Sequence, residues 1–139
     1  MSNTTFSGPV RSLNGFITGH QPTSANAINA TATATAAQVA DGYITSTSAA
    51  ATTITLPTGT LLGAALGASQ GTSFDLYVDN TAGASTVTMA IATNGVLSSA
   101  AVDTAGSFGD LTIAAGATGL ARFTIMFSSA TAYVFTRTA

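Results

Sequence analysis

Short runs in which apolar and polar residues take turns, each closed by a turn signal, recur from Thr31 to the end of the chain. A period of two puts alternate side chains on opposite faces of an extended strand, whereas an amphipathic helix needs a period near 3.6. The clearest runs are the last two. Phe123, Ile125 and Phe127 alternate with Arg122, Thr124 and Met126, and Ser128, Ser129 and Ala130 then lead into the run from Thr131 to Arg137. A terminal hairpin is expected there.

The same logic runs backwards through the chain. Phe74, Leu76 and Val78 face inward against outward Asp75, Tyr77 and Asp79, and Asn80 to Gly83 turns the chain. Val87, Met89 and Ile91 form the buried side of the next run, Asn94-Gly95 is a hairpin signal before Val96 and Leu97, and Leu111 with Ile113 makes a short strand. Earlier, Thr52 to Leu56 reads as a strand with Ile54 and Leu56 inward. The Thr/Ala alternation from Thr31 through Ala36 to Val39 also reads as strand, with Asp41-Gly42 turning it into Tyr43 to Thr47 as a hairpin. Between Pro57 and Gly67 the period changes: Leu61, Leu62, Ala65 and Leu66 take helical spacings and Thr58 or Thr60 can cap the first turn. Gly63 and Gly67 weaken that helix, so packing must hold it. The expectation is an all-β sandwich or barrel of about eight or nine strands with one short helix.

Residues 1–31 differ. Gly8, Pro9, Gly15, Gly19 and Pro22 forbid a long helix or a central strand, while Phe6, Val10, Leu13, Phe16 and Ile17 are spaced without an amphipathic period. The division expected is an extended N-terminal arm over 1–31 and a sandwich domain over 32–139. Those five apolar residues and Arg11 are the candidate partner-binding residues of the arm.

Charge decides what such a domain can do. Only 6% of the 139 residues are charged, with no Lys and no Glu, where an ordinary chain carries about 25%. Asp41, Asp75, Asp79, Asp103 and Asp110 stand against Arg11, Arg122 and Arg137, a net charge of −2. With no basic cluster to neutralise phosphates, nucleic-acid binding is disfavoured. Apolar residues never run on for the length a bilayer demands, so no membrane span is expected. No basic segment followed by an apolar one opens the chain, so export by a signal peptide is not expected either. Cysteine is absent, which removes disulfides and thiolate metal sites.

Chemistry-bearing residues are correspondingly sparse. His20, the only histidine, lies between Gly19 and Gln21 with no nearby carboxylate to orient it, unlike the base of a nucleophilic triad. Asp75, Asp79, Asp103 and Asp110 supply carboxylates without a motif. Asp79-Asn80 and Asp103-Thr104 offer oxygen ligands for a cation, but Asx residues serve turns equally well. Gly63 to Gly67 lacks the Lys and Ser/Thr of a phosphate loop. No catalytic residue, cofactor or metal is expected.

The run Ile54 to Thr58, the helical Leu61 to Leu66, the stretch Gly71 to Thr81, the Ala114 to Gly116 turn and Arg122 to Thr124 before an aromatic last strand together form a pattern. It resembles the small β-sandwich structural proteins of tailed bacteriophages, head decoration (cement) proteins and related appendage domains, over about Ile44 to Arg137. The resemblance implies a jelly-roll-like sandwich, trimeric, on the outer capsid surface of a virion, bridging subunits of the major capsid protein. A tail-fibre or spike domain is the alternative of the same class. An ice- or glycan-binding module is the alternative of another class, suggested by Thr33, Thr35, Thr45, Thr47, Thr53 and Thr55; the sequence shows no repeat that would hold such threonines in rows.

Overall fold

The computed structural model describes Ser7, residues 26–97 and residues 110–139. Among them are ten strands and two helices: β1 (Asn26–Ala27), β2 (Ala32–Thr33), α1 (Ala36–Ala40), β3 (Tyr43–Thr45), β4 (Thr52–Thr55), α2 (Gly59–Leu66), β5 (Ser73–Asp79), β6 (Val87–Ala90), β7 (Gly95–Leu97), β8 (Thr112–Ile113), β9 (Leu120–Ser129) and β10 (Ala132–Arg137). The strands form a six-stranded sheet in the order β1-β3-β5-β9-β10-β7 and a four-stranded sheet in the order β2-β4-β6-β8. Inward residues of both contribute to one apolar core, with Ile44, Leu76, Phe123, Ile125 and Phe135 from the larger sheet and Ile54, Val87, Met89 and Ile113 from the smaller. Phe123 and Phe135 stack at its centre, ring centroids 4.8 Å apart.

From β1 to β6 the chain crosses from the larger sheet to the smaller and back, so that β1 and β2, β3 and β4, and β5 and β6 are three successive turns of a coil. Each return to the larger sheet after the first two turns passes through a helix, α1 or α2. Strands laid down by such a coil run the same way, so β1, β3 and β5 pair in parallel, as do β2, β4 and β6. The second half of the chain closes the body antiparallel: β9 runs against β5, β10 against β9, and β8 against β6.

The strand-rich, two-sheet architecture is the one the alternation predicts. Three local expectations are corrected. Residues 34–40 do not continue a strand: only Ala32 and Thr33 pair in β2, and α1 follows. The Thr35 hydroxyl accepts from the Gln38 backbone N–H at 3.2 Å, and the Thr35 N–H donates to Gln38 Oε1 at 2.9 Å. That reciprocal capping box, Thr-x-x-Gln, is the local signal that overrides the Thr/Ala alternation. The Asp41-Gly42 turn is made, with Gly42 at φ +77°, yet it joins a helix to a parallel strand and so closes no hairpin. Asn94-Gly95 also turns, with Asn94 at φ +65°, but β7 leaves β6 and pairs parallel with β10 in the other sheet. Among the described residues there are two helices where one was expected, and ten strands where eight or nine were. Five of the eight strand pairings are parallel, which is not the antiparallel weave of a jelly roll.

At the N-terminal boundary, Asn26 and Ala27 already pair with Ile44 and Thr45, and Ile28 is buried. Residues 26–31, grouped by composition with the arm, therefore contribute to the folded body.

The helix expected after Pro57 is α2. Its Thr58 cap accepts from the Leu61 N–H at 3.3 Å, and Gly67 ends it in the left-handed conformation. Leu62 is fully buried. Gly59 and Gly63, one turn apart, lie directly against the carbonyls of Thr131 and Ala130 in the β9–β10 turn, leaving no room for a Cβ at either position. The glycines that weaken α2 as a free helix are what allow it to seat on the hairpin.

Candidate functional site

The proposed arm contacts Phe6, Val10, Arg11, Leu13, Phe16 and Ile17 lie outside the described residues, as do His20 and Asp103. Among the described residues the surface itself offers the candidate. Large apolar side chains are exposed at six positions, Tyr43, Leu61, Tyr77, Val96, Leu120 and Met126. Five of the six, all but Leu61 on α2, lie on the outer face of the six-stranded sheet.

Register explains how they gather. Ser73, Met126, Val134 and Val96 are consecutive partners across β5, β9, β10 and β7, so that three apolar residues and one serine make a row along one end of the face. Tyr43, Tyr77 and Arg122 are consecutive partners across β3, β5 and β9, and Asp79 pairs with Leu120 in the next row. Between these rows Asp75, Thr124 and Thr136 stand side by side. Met126 is 51% exposed and Val96 57%. Tyrosine, methionine and arginine are the residue types that protein interfaces favour, and lysine and glutamate, absent here, are the ones they avoid.

The polar groups on this face are committed to one another. Tyr43 donates its hydroxyl hydrogen to Asp79 Oδ2 at 2.6 Å, and Thr81 donates both its N–H and its hydroxyl to Asp79 Oδ1 at 2.9 and 2.6 Å. The Thr81 and Tyr43 hydrogen bonds hold the Asp79 carboxyl below the ordinary carboxylate range. The same bond, which the neutral phenol donates, raises the Tyr43 pKa. Thr124 donates to Asp75 Oδ1 at 2.7 Å, and Arg122 Nε donates to the Thr138 hydroxyl at 3.2 Å. Asp79 is thus occupied as a turn residue, and Asn80 beside it points inward, fully buried. Asn80 Nδ2 faces the carbonyls of Ser85, Ile113 and Ala114 at 2.9–3.1 Å, fastening three segments at one end of the two-sheet body. Among the described residues no three His, Cys, Asp or Glu side chains come together as a metal site would require.

Two polar features elsewhere escaped the sequence reading. Arg137 continues the inward register of Tyr133 and Phe135 and is 8% exposed; its Nη1 donates to the Thr112 carbonyl at 2.7 Å and lies 3.5 Å from Asp110 Oδ2. This buried pair ties β10 to β8 across the core. Alternation alone places Arg137 inward, but its charge argues for the outside, and the conflict is resolved only by Asp110, just ahead of β8, and by the Thr112 carbonyl. Asn80 gave no signal beyond membership of a turn.

No family model matches the chain, and the comparisons with curated proteins and with solved structures found no match.

Proposed function

We propose that this chain is a structural protein of a phage virion that decorates the outer capsid surface as a homotrimer and bridges neighbouring subunits of the major capsid protein. It acts by binding alone, with no catalytic step and no cofactor. The observation that carries this reading is the exposure of Tyr43, Tyr77, Val96, Leu120 and Met126 on one sheet face of a body almost without charge. A face of this kind suits a permanent contact with another protein, because its burial removes apolar area from water while its few charged groups, Asp75, Asp79 and Arg122, already have hydrogen-bond partners within the chain. Contacts of this composition depend little on salt. The resemblance over Ile44 to Arg137 supplies the class of particle. The reading requires a rigid two-sheet body with such a face and does not require jelly-roll connectivity.

Residues 1–17, with Phe6, Val10, Arg11, Leu13, Phe16 and Ile17, are assigned to a second contact, with a neighbouring subunit. Several such contacts per trimer add through avidity. The test is co-sedimentation with capsids stripped of their decoration. Wild type is expected to pellet with the capsids at saturable stoichiometry; the doubly substituted Val96→Lys, Met126→Lys chain and a chain lacking residues 1–17 should each stay folded and remain in the supernatant. Undiminished binding by both variants would refute the proposed surfaces.

A further inference from the structure

The inside of the two-sheet body turns polar where β3 and β5 end. Ile44 and Val78 are apolar register partners there, both fully buried. Two residues further along, Ser46 and Asn80 take the corresponding places. The Ser46 N–H donates to the Asp79 carbonyl at 2.8 Å, which continues the parallel ladder and sets Ser46 beside Asn80. Both side chains are inward, at 1% and 0% exposure. Ser48 and Thr52 are buried polar residues too, but their hydroxyls are committed: each donates to the Ala50 carbonyl, at 2.9 and 3.1 Å. Two atoms are left over. Among the described residues, Ser46 Oγ and Asn80 Oδ1 are the buried side-chain atoms without a hydrogen-bond partner, and their residues are neighbours.

Asn80 cannot relieve this by turning its amide over. Nδ2 already faces the carbonyls of Ser85, Ile113 and Ala114, and the exchange would set Oδ1 against three carbonyl oxygens. Gly83 packs so closely on Oδ1 that a Cβ has no room there, so the amide is clamped. Oδ1 only accepts, and it needs a donor brought to it; the Ser46 hydroxyl has one hydrogen to give and lone pairs to fill. Buried polar atoms left over in this way are characteristically served by an internal water, which makes about three hydrogen bonds to such groups. The span fits. Neighbouring strands lie about 4.8 Å apart, and a water with two hydrogen bonds of about 2.8 Å reaches between partners up to about 5.6 Å apart. The adjacent carboxylate, Asp79, has its oxygens bonded to Tyr43 and Thr81 on the outside, so a neutral ligand suits the pair better than a cation.

We propose that Ser46 Oγ and Asn80 Oδ1 together bind one internal water, which accepts from the Ser46 hydroxyl and donates to the Asn80 side-chain oxygen. Through this water β3 joins the segments that Asn80 already fastens, so the polar end of the body is closed by a fully bonded cluster. The inference uses no part of the virion reading, and its failure leaves that reading intact. The test is the crystal structure of the full chain at a resolution that shows waters, from crystals grown once in sodium chloride and once in rubidium chloride. Both are expected to show one peak within hydrogen-bond distance of Ser46 Oγ and Asn80 Oδ1, with no anomalous signal in the rubidium crystal. Ser46→Ala, which removes the hydroxyl and keeps the Cβ, should lose the peak; if that variant fails to fold, the wild-type maps decide alone. No peak in wild type, with Ser46 Oγ bonded directly to Asn80 Oδ1 or to a carbonyl, overturns the proposal. So does an anomalous peak, which would mark a cation, or a peak retained in Ser46→Ala, which would show that the pair does not hold it.

Discussion

The Tyr133 hydroxyl donates to the Pro57 carbonyl at 3.1 Å in the buried interior, joining β10 to the entrance of α2. Burial of the phenol raises its pKa. Tyr133→Phe leaves the Pro57 carbonyl without this donor and should cost about 1 to 3 kcal/mol in chemical denaturation, the range for a buried polar group that loses its partner. Unchanged stability would show that the carbonyl finds another donor.

Gly63→Ala should destabilise. Helix propensity alone favours alanine by about 1 kcal/mol, so the sign of the effect discriminates. The added Cβ meets the Ala130 carbonyl, and the helix must move off the β9–β10 turn. A loss of about 1 to 3 kcal/mol, typical of overpacking, is expected in urea denaturation. A gain in stability would mean that α2 does not seat on the hairpin.

The pH dependence has two arms with opposite signs. Asp79 is held below its ordinary pKa of 3.8, so its contribution is full above that value and is lost as pH falls through the depressed folded-state pKa. Tyr43 and Tyr133 are both raised above 10.0, so folding favours the neutral phenols; their contribution is full below pH 10.0 and is lost as pH rises through the folded-state values. Carboxyl NMR titration of Tyr43→Phe should show the Asp79 pKa moving up toward its ordinary value. A titration identical to wild type would contradict the Tyr43 to Asp79 bond.

Strand facing in β9 is tested by a pair of substitutions. Phe123 is fully buried and stacked on Phe135, and Phe123→Ala should cost about 3 to 5 kcal/mol. Met126, three residues on and outward, should tolerate Met126→Ala within about 0.5 kcal/mol. Reversal of that order would require a register shifted by one residue.

The sequence carried the faces of individual strands well because one-sided burial writes itself as alternation: Phe74, Leu76 and Val78, or Phe123, Ile125 and Phe127, could be assigned inward before any pairing was known. Pairing partners were not legible in the same way. Tyr43 to Thr45 looks like the second strand of a hairpin, yet its neighbours, Asn26 and Ala27 on one side and Tyr77 to Asp79 on the other, are set by a coil whose crossings leave no local mark. At α1 two local signals compete, and the capping box of Thr35 and Gln38 wins over a Thr/Ala alternation whose small side chains bury too little to enforce a strand. The exposed face shared by Tyr43, Tyr77, Met126 and Val96 depends on those pairings, so its members could be listed from the sequence as outward or unassigned but could not be assembled.

The central claim, that this chain is a building block of a virion head, is tested most directly by quantitative mass spectrometry of density-purified particles, giving its copy number against the major capsid protein. The account predicts copies of the same order as the capsid protein. A handful of copies per particle would place it in the tail, and its absence from purified particles would contradict the claim outright.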